Sequence, residues 1–144
     1  MEKNKWVRFG FILAGGVNVI GILIFSKFFT NDFMQTLDPA VCSHVGVFSI
    51  VLWGMAYVSV MMHFENAPFI VGVFAIEKFF YAIVWGRWVK EHFGDLCWIY
   101  QQDPITGFFY SIYGVNDFVF GVFFTVVFIM CIRKGTQHDA IGKR

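Results

Sequence analysis

Apolar residues fall into four long runs, at about residues 6–29, 45–62, 69–89 and 107–132, separated by short segments richer in Asp, Lys, Pro and His. Each run is close to the ~20 residues that carry an α-helix across ~30 Å of hydrocarbon. The apolar positions are consecutive and do not alternate, so the strands of a membrane β-barrel are not indicated. A lipid-exposed backbone must satisfy its own hydrogen bonds, which selects helices. The pattern predicts an all-α fold with one domain over residues 1–144. Its architecture is an integral membrane, antiparallel four-helix transmembrane bundle with short connections. Lys3, Lys5 and Arg8 precede the first run as they would in a secretory signal. That run is long for a signal and ends without a small-residue cleavage pattern, so it is expected to stay as the first helix.

Composition agrees with this reading. The chain of 144 residues is 58% hydrophobic, 21% aromatic and 15% charged, whereas soluble domains are nearer ~25% charged. These values exclude a disordered chain and an ordinary soluble domain. A net charge of +1 gives no general attraction to nucleic acid. The expected surroundings are membrane lipids and either further copies of the chain or a larger membrane complex. Lys3, Lys5, Arg8, Arg133, Lys134, Lys143 and Arg144 flank the termini, against Lys27, Arg87 and Lys90 around the first and third connections. The excess at the ends predicts that both termini are cytoplasmic. Trp6, Trp85, Trp88 and Trp98 lie near the expected interfaces, as an aromatic belt would.

The most informative residues are polar ones inside apolar runs. Counted at 1.5 Å per residue from the run ends, Asn18, Tyr57, Glu77, Lys78 and Asp117 fall at similar depth, about 12–18 Å in. They lie on stripes at three- and four-residue spacing: Ser49, Trp53 and Tyr57 on helix two, Glu77, Tyr81, Val84 and Trp88 on helix three, and Tyr110, Tyr113, Gly114 and Asp117 on helix four. Glu77 and Lys78 are neighbours, so they point ~100° apart and cannot serve one spot. One arrangement has Lys78 reaching Asp117 while Glu77 faces Tyr57 or Asn18. A charge at bilayer centre costs at least ~2.5–3.5 kcal/mol, so two acids and a base there require an explanation.

Two explanations compete. One is a ligand- or proton-binding site formed by Asn18, Trp53, Tyr57, Glu77, Lys78, Tyr81, Tyr113 and Asp117. In it Glu77 or Asp117 titrates, Lys78 is the anion partner or counter-ion, and Trp53, Tyr81 and Tyr113 form aromatic walls. The other is a structural clamp that fixes helix register.

Remaining candidates are weaker. Cys42 and Cys97 fall in the first and third connections, on one side of the membrane, and are candidates for a disulfide. Cys131 is expected to be packed at the end of helix four. His44 and His92 share a side and could bind a metal with Asp38, Glu91 or Asp95, but His63 and His138 lie elsewhere and no histidine falls at mid-bilayer depth. No metal site and no cofactor are expected. No phosphate loop, zinc-protease motif, nucleophile elbow or dinucleotide fingerprint is present, so an enzyme ranks third.

The length, the four expected spans and the stretch Tyr113-Gly114-Val115-Asn116-Asp117-Phe118-Val119-Phe120-Gly121 resemble the DoxX-like small four-helix bacterial membrane proteins. The resemblance is one of layout over most of the chain. It implies a bacterial inner membrane and transfers no functional residue. The leading expectation is thus a small polytopic protein whose intramembrane polar site binds a small amphipathic ligand or a proton, with transport as one use. The alternative is an accessory or assembly subunit of a larger membrane complex.

Overall fold

The computed structural model describes the backbone of residues 2–141 and the side chains of residues 4–135. Lys3, His138, Lys143 and Arg144 therefore lie outside the described side chains. The regular elements of the described residues are all helices, joined by short turns, with no strand among them. α1 (Glu2–Gly16) runs through a π-helical turn, Val17–Gly21, into α2 (Ile22–Phe25). Two short helices follow, α3 (Asp32–Leu37) and α4 (Pro39–Cys42), then α5 (His44–Val60). α6 (Pro68–His92) continues through a 3-10 turn into α7 (Leu96–Gln102), and α8 covers Pro104–Ile141.

Three helical segments are long and apolar enough to cross a membrane: Asn4–Phe25, Pro68–Gln102 and Pro104–Gly135. The second expected span is a helix of 17 residues, His44–Val60, below that length. At 1.5 Å per residue it covers about 26 Å.

α6 and α8 form the most extensive helix pair, and α1 with its π-turn packs mainly on α5. Both pairs run antiparallel. Phe69 meets Phe128, Phe79 meets Phe118 and Trp85 meets Tyr113 between α6 and α8. Between α1 and α5 the crossing is set by glycine. A Cβ on Gly15 would come 2.8 Å from the Gly54 carbonyl oxygen, and one on Gly54 would come 2.8 Å from the Asn18 Cβ. Two small residues let the backbones approach this closely.

The first helix ends at Phe25, short of the expected residue 29. Lys27, Phe28 and Phe29 all have positive φ, at 49°, 54° and 69°. Left-handed backbone in non-glycine residues is costly, and here it is tied down on several sides. The Phe28 amide donates to the Leu23 carbonyl at 2.8 Å, and the Asn31 side-chain amide donates to the Phe25 carbonyl at 2.9 Å. Lys27 Nζ forms an ion pair with Asp103 Oδ2 at 2.9 Å. Burial raises the affinity of the Asp103 carboxyl for a proton. Hydrogen bonds from Lys27 and Thr106 outweigh that and hold its pKa below the usual carboxylate value.

The expected connections are themselves ordered. Asn31, Asp38 and Ser43 each cap a helix, accepting from the amides of Met34, Val41 and Gly46. Pro39 and Pro68 occupy first-turn positions where a missing N–H costs nothing. Two cores result. One contains Phe11, Tyr57, Phe64, Phe74 and Phe124 toward the N-terminal end of α1. The other contains Ile22, Met34, Val41, Trp88, Phe109 and Tyr110 under α3 and α4. Trp6 and Trp98 are exposed as belt residues would be, but Trp88 is buried against Tyr110 at 4.0 Å and Trp85 donates to the Tyr110 carbonyl. Both of these tryptophans turn inward because a helix of this length places them over α8.

Candidate functional site

The polar side chains meet between the two cores. Lys78 of α6 is 1% exposed. Its Nζ donates to Asp117 Oδ1 of α8 at 2.6 Å and to Asn18 Oδ1 of the π-turn at 2.8 Å. The same Nζ stands 5.4 Å from the centre of the Tyr57 ring, on α5. Glu77 lines the same cavity but takes a different partner, accepting a hydrogen bond from the Tyr57 hydroxyl at Oε2. This is the division of partners that a ~100° offset between helix neighbours requires. Asn18 is oriented by its own amide, which donates to the Ile50 carbonyl at 3.3 Å. The π-turn inserts the asparagine where regular helix would bond only to itself, a placement for which such turns are known.

Of the buried polar atoms without a hydrogen-bond partner, which include Asp38 Oδ2 near Tyr113, two belong to this group. Glu77 Oε1 and the Tyr113 hydroxyl are buried with no hydrogen-bond partner. Both residues line a cavity of about 220 Å³. Asn18, Lys78, Tyr81, Asn116 and Asp117 also line it, and its remaining walls are apolar, including Val17, Ile22, Phe25, Ile50, Phe109 and Ile112. Val41 of α4 also lines it. Toward the other core there is no such space around Tyr57, whose ring packs on Phe74 at 4.8 Å and Phe124 at 4.9 Å.

Of the eight expected site residues, six line this cavity: Asn18, Glu77, Lys78, Tyr81, Tyr113 and Asp117. Tyr57 touches the site from behind, through Glu77. Trp53 does not reach it. Its ring packs edge-on to Phe74 on the aromatic side. A stripe at three- and four-residue spacing identified the face of α5 but not which of its two ends is hollow. Asn116 and the aliphatic walls escaped sequence reasoning. For Asn116 the neighbouring Asp117 was the one available signal.

Lys78 is not free to receive an anion, since Asp117 and Asn18 hold two of its donors and the Tyr57 ring covers it. Its ion-pair partner is Asp117, at 2.6 Å. The formal charges of Lys78 and Asp117 cancel in their ion pair, and Glu77 makes no salt bridge among the described residues.

The cysteines do not pair. Cys42 and Cys97 are both free, the first buried and the second exposed. Cys42 faces inward, 3.4 Å from the Tyr110 hydroxyl, which also donates to the Met34 carbonyl. Burial, offset in part by that hydroxyl, pushes the Cys42 thiol up to about 12, so at neutral pH it is a neutral packing group. Cys131 is buried, as expected. His44 bonds the Phe29 carbonyl and His92 stacks on Trp88. Among the described residues no three His, Cys, Asp or Glu side chains gather as metal ligands would.

No family model, curated protein or solved structure matches this chain. Any functional reading therefore rests on the residues and their geometry.

Proposed function

We propose that the chain is a small polytopic membrane protein that binds a small amphipathic ligand, or a proton, in the pocket between its helices. In this reading α5 enters the bilayer with the three longer segments, completing a four-helix transmembrane bundle. The layout shared with DoxX-like proteins supports a bacterial inner membrane, and the Lys and Arg distribution supports cytoplasmic termini. Glu77 is the ligand- or proton-accepting group. Asn18, Lys78 and Asp117 hold the floor of the pocket in place, Tyr57 orients Glu77, and Tyr81 and Tyr113 form its aromatic walls.

The observation that carries the proposal is the pairing of a cavity with two unpartnered buried polar groups on its lining, Glu77 Oε1 and the Tyr113 hydroxyl. Buried polar atoms are nearly always bonded, and those that are not call for a bound partner or a role. Pockets of this kind, mostly apolar with a few convergent polar groups, are the usual form of small-molecule sites. Transport is one use of such a site, and four short helices favour a homo-oligomer for it.

One observation favours a second reading. The Lys78–Asp117–Asn18 group is closed on itself, as a clamp in an accessory subunit of a larger complex would be. Native mass spectrometry of protein extracted gently from its own membrane separates the two. A defined small mass on the wild type, absent from Glu77→Gln, is the expected result. Arrival with another polypeptide and no small mass refutes the binding reading in favour of the clamp.

A further inference from the structure

The pocket's unmatched groups specify the sign of its ligand. Lys78 offers nothing to an incoming anion, because two of its donors are held at 2.8 Å or less and the third side faces the Tyr57 ring. Its charge is balanced by Asp117 at 2.6 Å. Glu77 has one oxygen bonded to Tyr57 and the other bonded to nothing. A lone carboxylate in a low-dielectric interior strongly favours a cation or a proton beside it.

We propose that the ligand of this pocket is a small amphipathic cation, a protonated monoamine with an apolar body, held by the Glu77 carboxylate and the Tyr113 hydroxyl. The proposal rests on the pocket reading above and adds the charge and class of what enters. An ammonium group donates to Glu77 Oε1 and to the Tyr113 phenol oxygen, the two pocket-lining atoms left unbonded. Charge-assisted hydrogen bonds of this kind are roughly twice as strong as neutral ones. Tyr81, Tyr113 and Phe109 also line the pocket, and aromatic rings suit both a cation and its apolar body. An inorganic cation fits poorly, since it needs several oxygen ligands and most of the wall is hydrocarbon. The cavity of about 220 Å³ is many times the ~10–15 Å³ that one water needs on the same measure, so a small amine has room in it.

A consequence is competition with protons for one carboxylate. Tyr57 of α5 is bonded to Glu77, and the ionisable groups lining the pocket with it are Lys78 and Tyr81 from α6 and Tyr113 and Asp117 from α8; Asp38, at the cap of α4 with its own Oδ2 unbonded, lies beside Tyr113, and α1 and its π-turn contribute only the uncharged Asn18. Lys78 and Asp117 are committed to each other, so Glu77 is the group that exchanges a proton for the amine.

Calorimetric titration of the full chain in nanodiscs tests this with three probes of one shape: phenethylammonium, phenethyl alcohol and phenylacetate. The expected order is ammonium about tenfold tighter than alcohol, with no saturable binding of phenylacetate. Acidification should weaken the ammonium and leave the alcohol unchanged, a test that needs no variant. Glu77→Gln should bring ammonium and alcohol to equal affinity while the alcohol still binds. Equal affinities in the wild type overturn the cation and leave the pocket standing. Tightest binding of phenylacetate overturns it with the opposite charge. Saturable binding of none of the three removes the pocket reading together with the proposal.

Discussion

Replacing Lys78 with Met keeps the length and apolar stem of the side chain and deletes only its charged head. That head is the centre of the network, with donors to Asp117 at 2.6 Å and Asn18 at 2.8 Å and only 2% of the side chain exposed. Lys78→Met leaves Asp117, 11% exposed at its side chain, as an acid without its cation. Removing one member of a buried ion pair costs ~3–5 kcal/mol. Placing an unpaired acid at mid-bilayer costs ~2.5–3.5 kcal/mol on insertion scales. The two ranges meet near ~3 kcal/mol, which is the expected loss of stability. Asp117→Asn should lose a similar amount, because it strands Lys78 instead. The double variant Lys78→Met with Asp117→Asn strands no charge, and its introduced amide can still donate to Asn18. Its stability should return to within ~1 kcal/mol of the wild type. The assay is unfolding by titrated anionic detergent in mixed micelles, followed by circular dichroism. If the two single losses simply add in the double variant, Lys78 and Asp117 are not coupled and the account of the site fails.

Three further outcomes are expected. Gly54→Ala places a methyl 2.8 Å from both the Asn18 Cβ and the Val19 Cγ2, so α1 and α5 must separate; the same unfolding assay should register a loss of ~1–3 kcal/mol, and no loss would contradict the glycine crossing. Asp103→Asn removes a carboxyl held below its usual pKa in spite of burial by Lys27 and Thr106; a depressed acid stabilises above its unfolded pKa and loses that contribution as pH falls through its folded value, so the wild type should exceed the variant at neutral pH and the gap should close below about pH 4. A thiol-reactive maleimide at neutral pH should label the exposed Cys97 and spare Cys42, whose buried thiol is pushed up to about 12; equal labelling of the two would place Cys42 at the surface.

Much of the site was legible because charge in an apolar run is expensive and therefore conspicuous. Glu77, Lys78 and Asp117 announced a common layer by depth alone, and the helical offset of neighbours separated Lys78–Asp117 from Glu77–Tyr57. What escaped reading has physical causes too. The left-handed turn at Lys27–Phe29 contains no glycine, and its residues are as apolar as a helix end, so the run looked four residues longer than the helix. The π-turn at Val17–Gly21 changes hydrogen bonding without changing composition. Trp53 and Tyr57 share a stripe, yet only the packing of Phe74 and Phe124 decides that this stripe meets a filled core. The short helices α3 and α4 carry plain capping signals at Asn31, Asp38-Pro39 and Ser43, but a helix of one or two turns is too short to leave an apolar run, so the sequence presents these segments as connections.

The π-turn also bears on how this chain can gain and lose residues. A π-turn accommodates one residue more than an α-turn while the helices on either side keep the faces they would present without it. Removing a single residue from Val17–Gly21 should therefore close the segment into ordinary α-helix, with Phe11 and Ala14 still directed at the aromatic core and Ile22 and Phe25 still directed at the other. The bundle should tolerate such a deletion, measured as an unchanged unfolding midpoint in mixed micelles, whereas the seating of Asn18 against Lys78 should be lost. Chains one residue shorter at this point would keep the scaffold and lose the floor of the pocket, which makes this short segment the place where fold and binding site can be inherited separately.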